Sequence, residues 1–325
     1  MRSDLITLDP NITHLGDVPS ITSNVRCPAH SGGRGGIPLL PAPSTKVEAI
    51  SKMRADAQTA PGRVRRSEQY SLAKILGIWA LAAAPMGILS WIAFPLVAPD
   101  FESDPLGSGV MRLVLLTLGL IWLFVLSMII VRQEEGDLRW ATIKQRLRLN
   151  IPREPTTGRP RRRLWLWVVP FLVAVAVVEL VLGSPMENVW VSVFPFLEEP
   201  TGYSFDALLQ SQEILGRLEG AWWFLAVFVF QAAFNTILGE EFLFRGVLLP
   251  KMEGVFGRWS WVVNGVLFGL YHVHAPWVIP NAVLTGFLYT FPAYRYRSTW
   301  MSLIVHSAQS VFFAFLVLGI VLALA

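Results

Sequence analysis

The chain has 325 residues, of which 53% are hydrophobic and 15% charged, with a net charge of +4 and a mean hydropathy of +0.49. No ordinary soluble domain of this size is so apolar, and the single cysteine, Cys27, excludes an internal disulfide framework and a cysteine-based metal cluster. The basic balance does not point to nucleic acid, because the arginines and lysines gather at the ends of apolar runs, where membrane topology puts them.

Residues 1–66 are dense in Pro, Gly and Ser, with "SGGRGG" at 31–36, and read as a disordered cytoplasmic tail. The tail has no apolar h-region of a signal peptide. One short helix is expected from Thr45, which has capping-box spacing to Glu48. Met53, ahead of a basic stretch, reads as an alternative translation start. Apolar runs long enough to cross a bilayer, roughly 20 residues each, follow at 72–98, 110–131, 164–183, 221–249 and 299–324. Two shorter runs, 259–275 and 278–293, read as a helical hairpin broken at Pro276 and Pro280. The expected fold is therefore all-α: a polytopic membrane helical bundle of seven transmembrane helices, with room for an eighth. It divides into the tail at 1–66, N-terminal transmembrane helices and loops at 67–219, and a C-terminal membrane core at 220–325.

Charges alternate between the loops. Arg63, Arg65 and Arg66 precede the first span, and Arg139, Lys144, Arg146, Arg148, Arg153 and 159–163 make the second loop basic, as Lys251, Arg258, Arg295 and Arg297 do later. Asp100, Glu102 and Asp104 mark one opposite loop, and Glu187, Glu198, Glu199, Asp206, Glu213 and Glu219 another. This is the positive-inside pattern of an integral, multi-pass protein with a cytoplasmic N-terminus. Trp140, Ile143 and Leu147 share a helical face in the basic loop, and Phe205, Leu208, Leu209 and Leu215 form a weaker stripe in the acidic one. Both read as loop helices packed on the bundle. No internal repeat pair is present, which argues against an inverted-repeat transporter.

The chemistry-bearing residues lie in the last third. "LGEEFLFRGVLLP" at 238–250 places Glu240, Glu241 and Arg245 inside an apolar span. On a helix Glu241 and Arg245, four apart, share a face and can pair, which lowers the cost of burying either. Glu240 is rotated about 100° from Glu241 and has no local partner. Burial without a counter-ion suits a carboxylate to general-base work near neutral pH. "NGVLFGLYHVHAP" at 264–276 sets Phe268 and His272 four apart, and "VHSAQS" sets His306 and Ser310 four apart in the last span. At 1.5 Å per residue, Glu240 lies about 15 Å above Pro250, His272 about 17 Å above Trp261 and His306 about 10 Å above Thr299. Three helices can thus present a carboxylate and two imidazoles at similar depth. Each residue alone could serve only helix packing; together at one depth they favour function. His274, beside Ala275 and Pro276, reads as structural or interfacial.

Glu-Glu-x-x-x-Arg at 240–245, Phe-x-x-x-His at 268–272 and a later His resemble the CAAX protease and bacteriocin-processing (CPBP) family of intramembrane endopeptidases, related to type II CAAX prenyl proteases. The resemblance covers about residues 220–324. It implies that Glu240 and His272 hold and activate a water, that His306 stabilises the oxyanion, and that Glu241 and Arg245 form a supporting ion pair. In the family an Asn four residues after the later His shares the oxyanion role; that position is Ser310 here, a departure, whose hydroxyl can still donate a hydrogen bond to the oxyanion with a shorter reach. Many such proteins are labelled metalloproteases, and Glu240, His272 and His306 would be the ligands of a Zn²⁺ ion if the reaction is metal-dependent. A metal-free glutamate mechanism is the other reading, and neither a His-Glu-x-x-His run nor an Asp near His272 is present. The expected activity is hydrolysis of a peptide bond in a membrane-associated, lipidated or precursor protein, in a cavity open to the cytoplasm. The partners are then a peptide or protein substrate and the lipid bilayer, with no nucleic acid, and the expected location is a bacterial inner (plasma) membrane. The alternatives are a non-catalytic scaffold or immunity protein that keeps the fold, which Ser310 favours, and a proton-coupled transporter.

Overall fold

The computed structural model describes residues 68–204 and 209–324. The expected tail, with Cys27, Thr45 and Met53, lies outside the described residues, as do Phe205 and Leu208 of the acidic-loop stripe. The described residues are helical, without a β-strand, and an isolated bridge joins Arg153 to Pro160 in the basic loop.

Five helices are long and apolar enough to cross a membrane: α1 (Leu72–Val97), α2 (Pro105–Glu135), α4 (Arg162–Val193), α6 (Trp222–Lys251) and α9 (Thr299–Val321). Between them lie the short helices α3 (Trp140–Arg146) and α5 (Gln212–Leu218), and the hairpin of α7 (Ser260–Tyr271) and α8 (Ile279–Tyr296). The ends follow from local chemistry. Ser71 caps α1 by accepting from the Lys74 amide at 3.2 Å. In α2 the Asp104 carboxylate accepts from the Gly107 amide at 3.1 Å, Pro105 opens the first turn, and Gly136 closes the last at φ 85°.

The hairpin forms at the expected prolines. Pro276 opens a single 3₁₀ turn and Pro280 sits in the first turn of α8, where a missing amide hydrogen leaves no intrahelical bond unmade. Small residues let its two arms touch. A Cβ at Gly269 would lie 2.7 Å from the Val283 nitrogen, and one at Gly286 would lie 2.8 Å from the Gly265 carbonyl oxygen. Such contact holds α7, and with it His272, at a fixed depth.

The main core gathers inward faces of α1, α2, α6, α7, α8 and α9, including Ile75, Leu123, Leu243, Phe244, Tyr271 and Val305. A second cluster joins Leu106, Leu218, Phe228 and Val317. Leu180, Val181 and Phe315 face outward, as a lipid solvent permits. Of the α3 stripe, Leu147 is buried in the core, Ile143 packs against it and Trp140 is exposed.

One expectation about local geometry is corrected. The spacing arguments treated 221–249 as one α-helix, yet Phe234–Gly239 and Glu241–Leu248 are π-helical. Gly239 is pressed against α2, where an added Cβ would stand 2.8 Å from the Leu120 carbonyl oxygen. The wider π turn, with hydrogen bonds five residues apart, brings Glu240 toward the faces of both Asn235 and Arg245.

Candidate active site

Glu240, Glu241, Arg245 and His306 are all at most 4% exposed. Glu241 is the hub. Its Oε1 lies 3.0 Å from Arg245 Nη1 and 3.0 Å from His306 Nδ1, and the Ser302 hydroxyl donates to its other oxygen. Because a carboxylate only accepts, His306 presents Nδ1–H to Glu241, which fixes the ring and turns Nε2 away. Tyr289 stacks on that ring with centroids 4.2 Å apart, and Phe268 meets it edge-on at 5.8 Å.

Arg245 is compensated from three sides. Besides Glu241, its Nε donates to Thr290 Oγ1 at 3.3 Å, and its guanidinium lies 4.1 Å from the centre of the Phe268 ring. Thr290 donates in turn to Asn264 Oδ1 at 3.1 Å, and Asn264 Nδ2 donates to the Phe244 carbonyl at 2.9 Å. A polar relay therefore ties α6, α7 and α8 together beneath the glutamate pair.

Glu240 differs from its neighbour. Its Oε2 is 3.8 Å from His306 Nε2, too long for a direct hydrogen bond and short enough for one bridging atom. The sequence left Glu240 without a partner; in the fold it faces His306 from α9 and the Tyr271 hydroxyl from α7. His272 is half-buried, and its Nδ1 is 3.0 Å from the Phe268 carbonyl four residues back. A carbonyl only accepts, so Nδ1 carries the hydrogen and Nε2 keeps its lone pair. Phe268 lies edge-on to both imidazoles, so the two histidines share one aromatic wall.

His274 stacks on His272 at 5.3 Å, and its carbonyl accepts from Ser90 Oγ at 3.0 Å and Arg112 Nη2 at 3.4 Å. Ser310, one turn beyond His306, lines an adjoining cavity of about 440 Å³ together with His274, Asn235, Gln309 and Arg112. Glu187, Glu199 and Tyr203 also border that cavity, so it opens toward the acidic loops.

Sequence reasoning missed Ser302, Tyr289, Thr290, Asn264 and Tyr271. Ser302 had a signal, since it stands four residues before His306 and shares its face. The others are revealed only by tertiary contact.

A zinc site does not fit this arrangement. Among the described residues no three His, Cys, Asp or Glu side chains converge on a point that could hold a metal ion. Glu241 and the Phe268 carbonyl hold one nitrogen of each histidine and leave the other free, but Glu240, His272 and His306 do not come within one ion's coordination distance of a common point.

Residues 220–312 match the family model described as type II CAAX prenyl endopeptidase Rce1-like. No curated protein and no solved structure matches the chain.

Proposed function

Because residues 220–312 belong to the CAAX-type family of intramembrane proteases, we propose that this integral membrane protein hydrolyses a peptide bond within the bilayer, with Glu240 as the general base. The observation that carries this reading is the contrast inside one buried pair. Glu241 has its charge met by Arg245, Ser302 and His306, whereas Glu240, on the same turn, faces the site with no ion pair of its own on α6.

In the proposed reaction, water sits between Glu240 and the free Nε2 of His272. Glu240 takes a proton from the water as its oxygen bonds to the substrate carbonyl carbon, and the carbonyl π electrons move to oxygen. His306, held by Glu241 and by the stacked Tyr289, donates from Nε2 to that oxyanion when it is protonated there. Glu240 then passes its proton to the amide nitrogen as the C–N bond breaks, which yields one carboxyl and one amino product. Arg245 positions Glu241 and does not touch the reacting atoms. A low-dielectric surround strengthens each of these electrostatic terms. Ser310 lies in the cavity wall, where it would contact the peptide on either side of the scissile bond.

With α7 and α8 counted beside the five long helices, seven segments lie in the membrane. On this reading the N-terminus faces the cytoplasm at a bacterial plasma membrane, an orientation that the basic loops support, and 220–325 is the catalytic core, after the tail and 67–219. The substrate is a membrane-anchored or precursor protein.

The test compares peptide termini in membranes of cells that hold the native chain or Glu240→Gln at equal abundance. New termini present only with the native chain are expected. Identical profiles from folded proteins would instead support a scaffold or immunity role for the same fold.

A further inference from the structure

Tyr271 ends α7, one residue before His272, and is fully buried. Its ring packs against Phe244 at 5.2 Å, His272 at 5.3 Å and His274 at 5.8 Å. A phenylalanine would fill this space equally well. The hydroxyl is what packing does not explain. It makes no hydrogen bond of ordinary length, and the acceptor it faces is the Glu240 carboxylate, close enough for a long, weak one. The neighbouring hydroxyls of Ser302 and Thr290 are both engaged. A buried hydroxyl without a close partner forfeits hydrogen-bond energy, so retaining one turned to the proposed base points to a use in the reaction.

We infer that Tyr271 is a catalytic residue whose hydroxyl donates a hydrogen bond to the oxyanion formed next to Glu240. This rests on the peptidase reading above. The phenol gives up no proton: Glu240 carries the proton from water to the leaving nitrogen, and the Tyr271 O–H only shares its hydrogen with the negative oxygen while the tetrahedral intermediate exists. Such a donor suits the task because it is already desolvated and fixed by packing, and its bond to an oxyanion is stronger than its bond to the ground-state carbonyl. Ser310, the residue whose place in the family motif suggests that role, is half-buried in the cavity wall a turn farther along α9.

The experiment measures how fast Glu240-dependent peptide termini appear in membranes containing equal amounts of four proteins. These are the native chain, Glu240→Gln, Tyr271→Phe, and the chain with 3-fluorotyrosine at position 271. Removing one oxyanion donor typically slows turnover about 10²–10³-fold, so Tyr271→Phe should fall by that factor with unchanged substrate saturation. The fluorinated phenol, a stronger donor of nearly the same size, should match or exceed the native rate. Native speed in Tyr271→Phe overturns the inference, as does equal slowing of both forms, which would mean that the ring serves only packing. If the native chain yields no Glu240-dependent termini, the peptidase reading itself falls, and this inference with it.

Discussion

Two ionic clusters lie along α6, and they differ in how fully their hydrogen bonds are made. At the basic-loop end, Glu134 accepts from Tyr70, Lys74 and Arg146, with Lys251 Nζ at 3.5 Å. Arg146 also donates to the Gly246 carbonyl at 3.0 Å, the Tyr70 hydroxyl at 3.1 Å and the Val247 carbonyl at 3.3 Å. Each nitrogen of that guanidinium is used. At the Glu240 end, the Tyr271 hydroxyl makes no hydrogen bond of ordinary length, and Glu240 meets His306 only at 3.8 Å. A saturated network fixes packing, because nothing in it is free to bind anything else. An incompletely paired one, here the more deeply buried of the two, keeps capacity for a substrate and costs stability to maintain.

This contrast can be broken or sharpened by substitution. The largest stability loss is expected from Arg146→Ala, which removes the buried donor to Glu134 and to the Gly246 and Val247 carbonyls at once. Removing one partner of a buried pair costs about 3–5 kcal/mol, so thermal unfolding in detergent should come at a much lower temperature while the cleavage rate per folded molecule is unchanged. Next comes Ser302→Ala. Hydrogen bonds to charged groups are worth about 1.5–3 kcal/mol, and because Glu241 also orients His306, stability and cleavage should fall together. Gly269→Ala comes third. Its new methyl group meets the Val283 backbone, and overpacking of this kind costs about 1–3 kcal/mol; by shifting α7 against α8 it should also move His272 and lower turnover. The smallest effect belongs to Ser310→Ala, which loses at most one cavity-wall contact to the peptide and should slow cleavage far less than Tyr271→Phe does. A large drop there would restore the oxyanion role that the family motif suggests for Ser310 and would weaken the case for Tyr271.

Much of this was legible in the sequence. The apolar runs named the five long helices, and Pro276 and Pro280 marked the hairpin, because bilayer thickness and proline sterics act locally. The pairing of Glu241 with Arg245 followed from their spacing alone. The π-helical turns were not legible. They depend on Gly239 meeting the Leu120 carbonyl, a contact more than a hundred residues away in sequence. For the same reason Glu240 looked isolated: His306 and Tyr271 reach it from other helices, and no local spacing reports that. Tyr271 sits within the quoted motif beside His272, yet only its buried hydroxyl, turned to Glu240, sets it apart from a packing residue.

The most direct test of the difference between the clusters measures unfolding temperature and Glu240-dependent cleavage side by side in Glu240→Gln and Glu134→Gln. The account predicts a crossed result. Glu240→Gln should lose cleavage by about 10²–10⁴-fold, the usual contribution of a general base, while unfolding at or above the native temperature. Glu134→Gln should unfold earlier and cleave normally per folded molecule. Persistent cleavage by Glu240→Gln, with an unfolding temperature lowered as far as that of Glu134→Gln, would contradict the account and make the glutamate pair a second packing cluster.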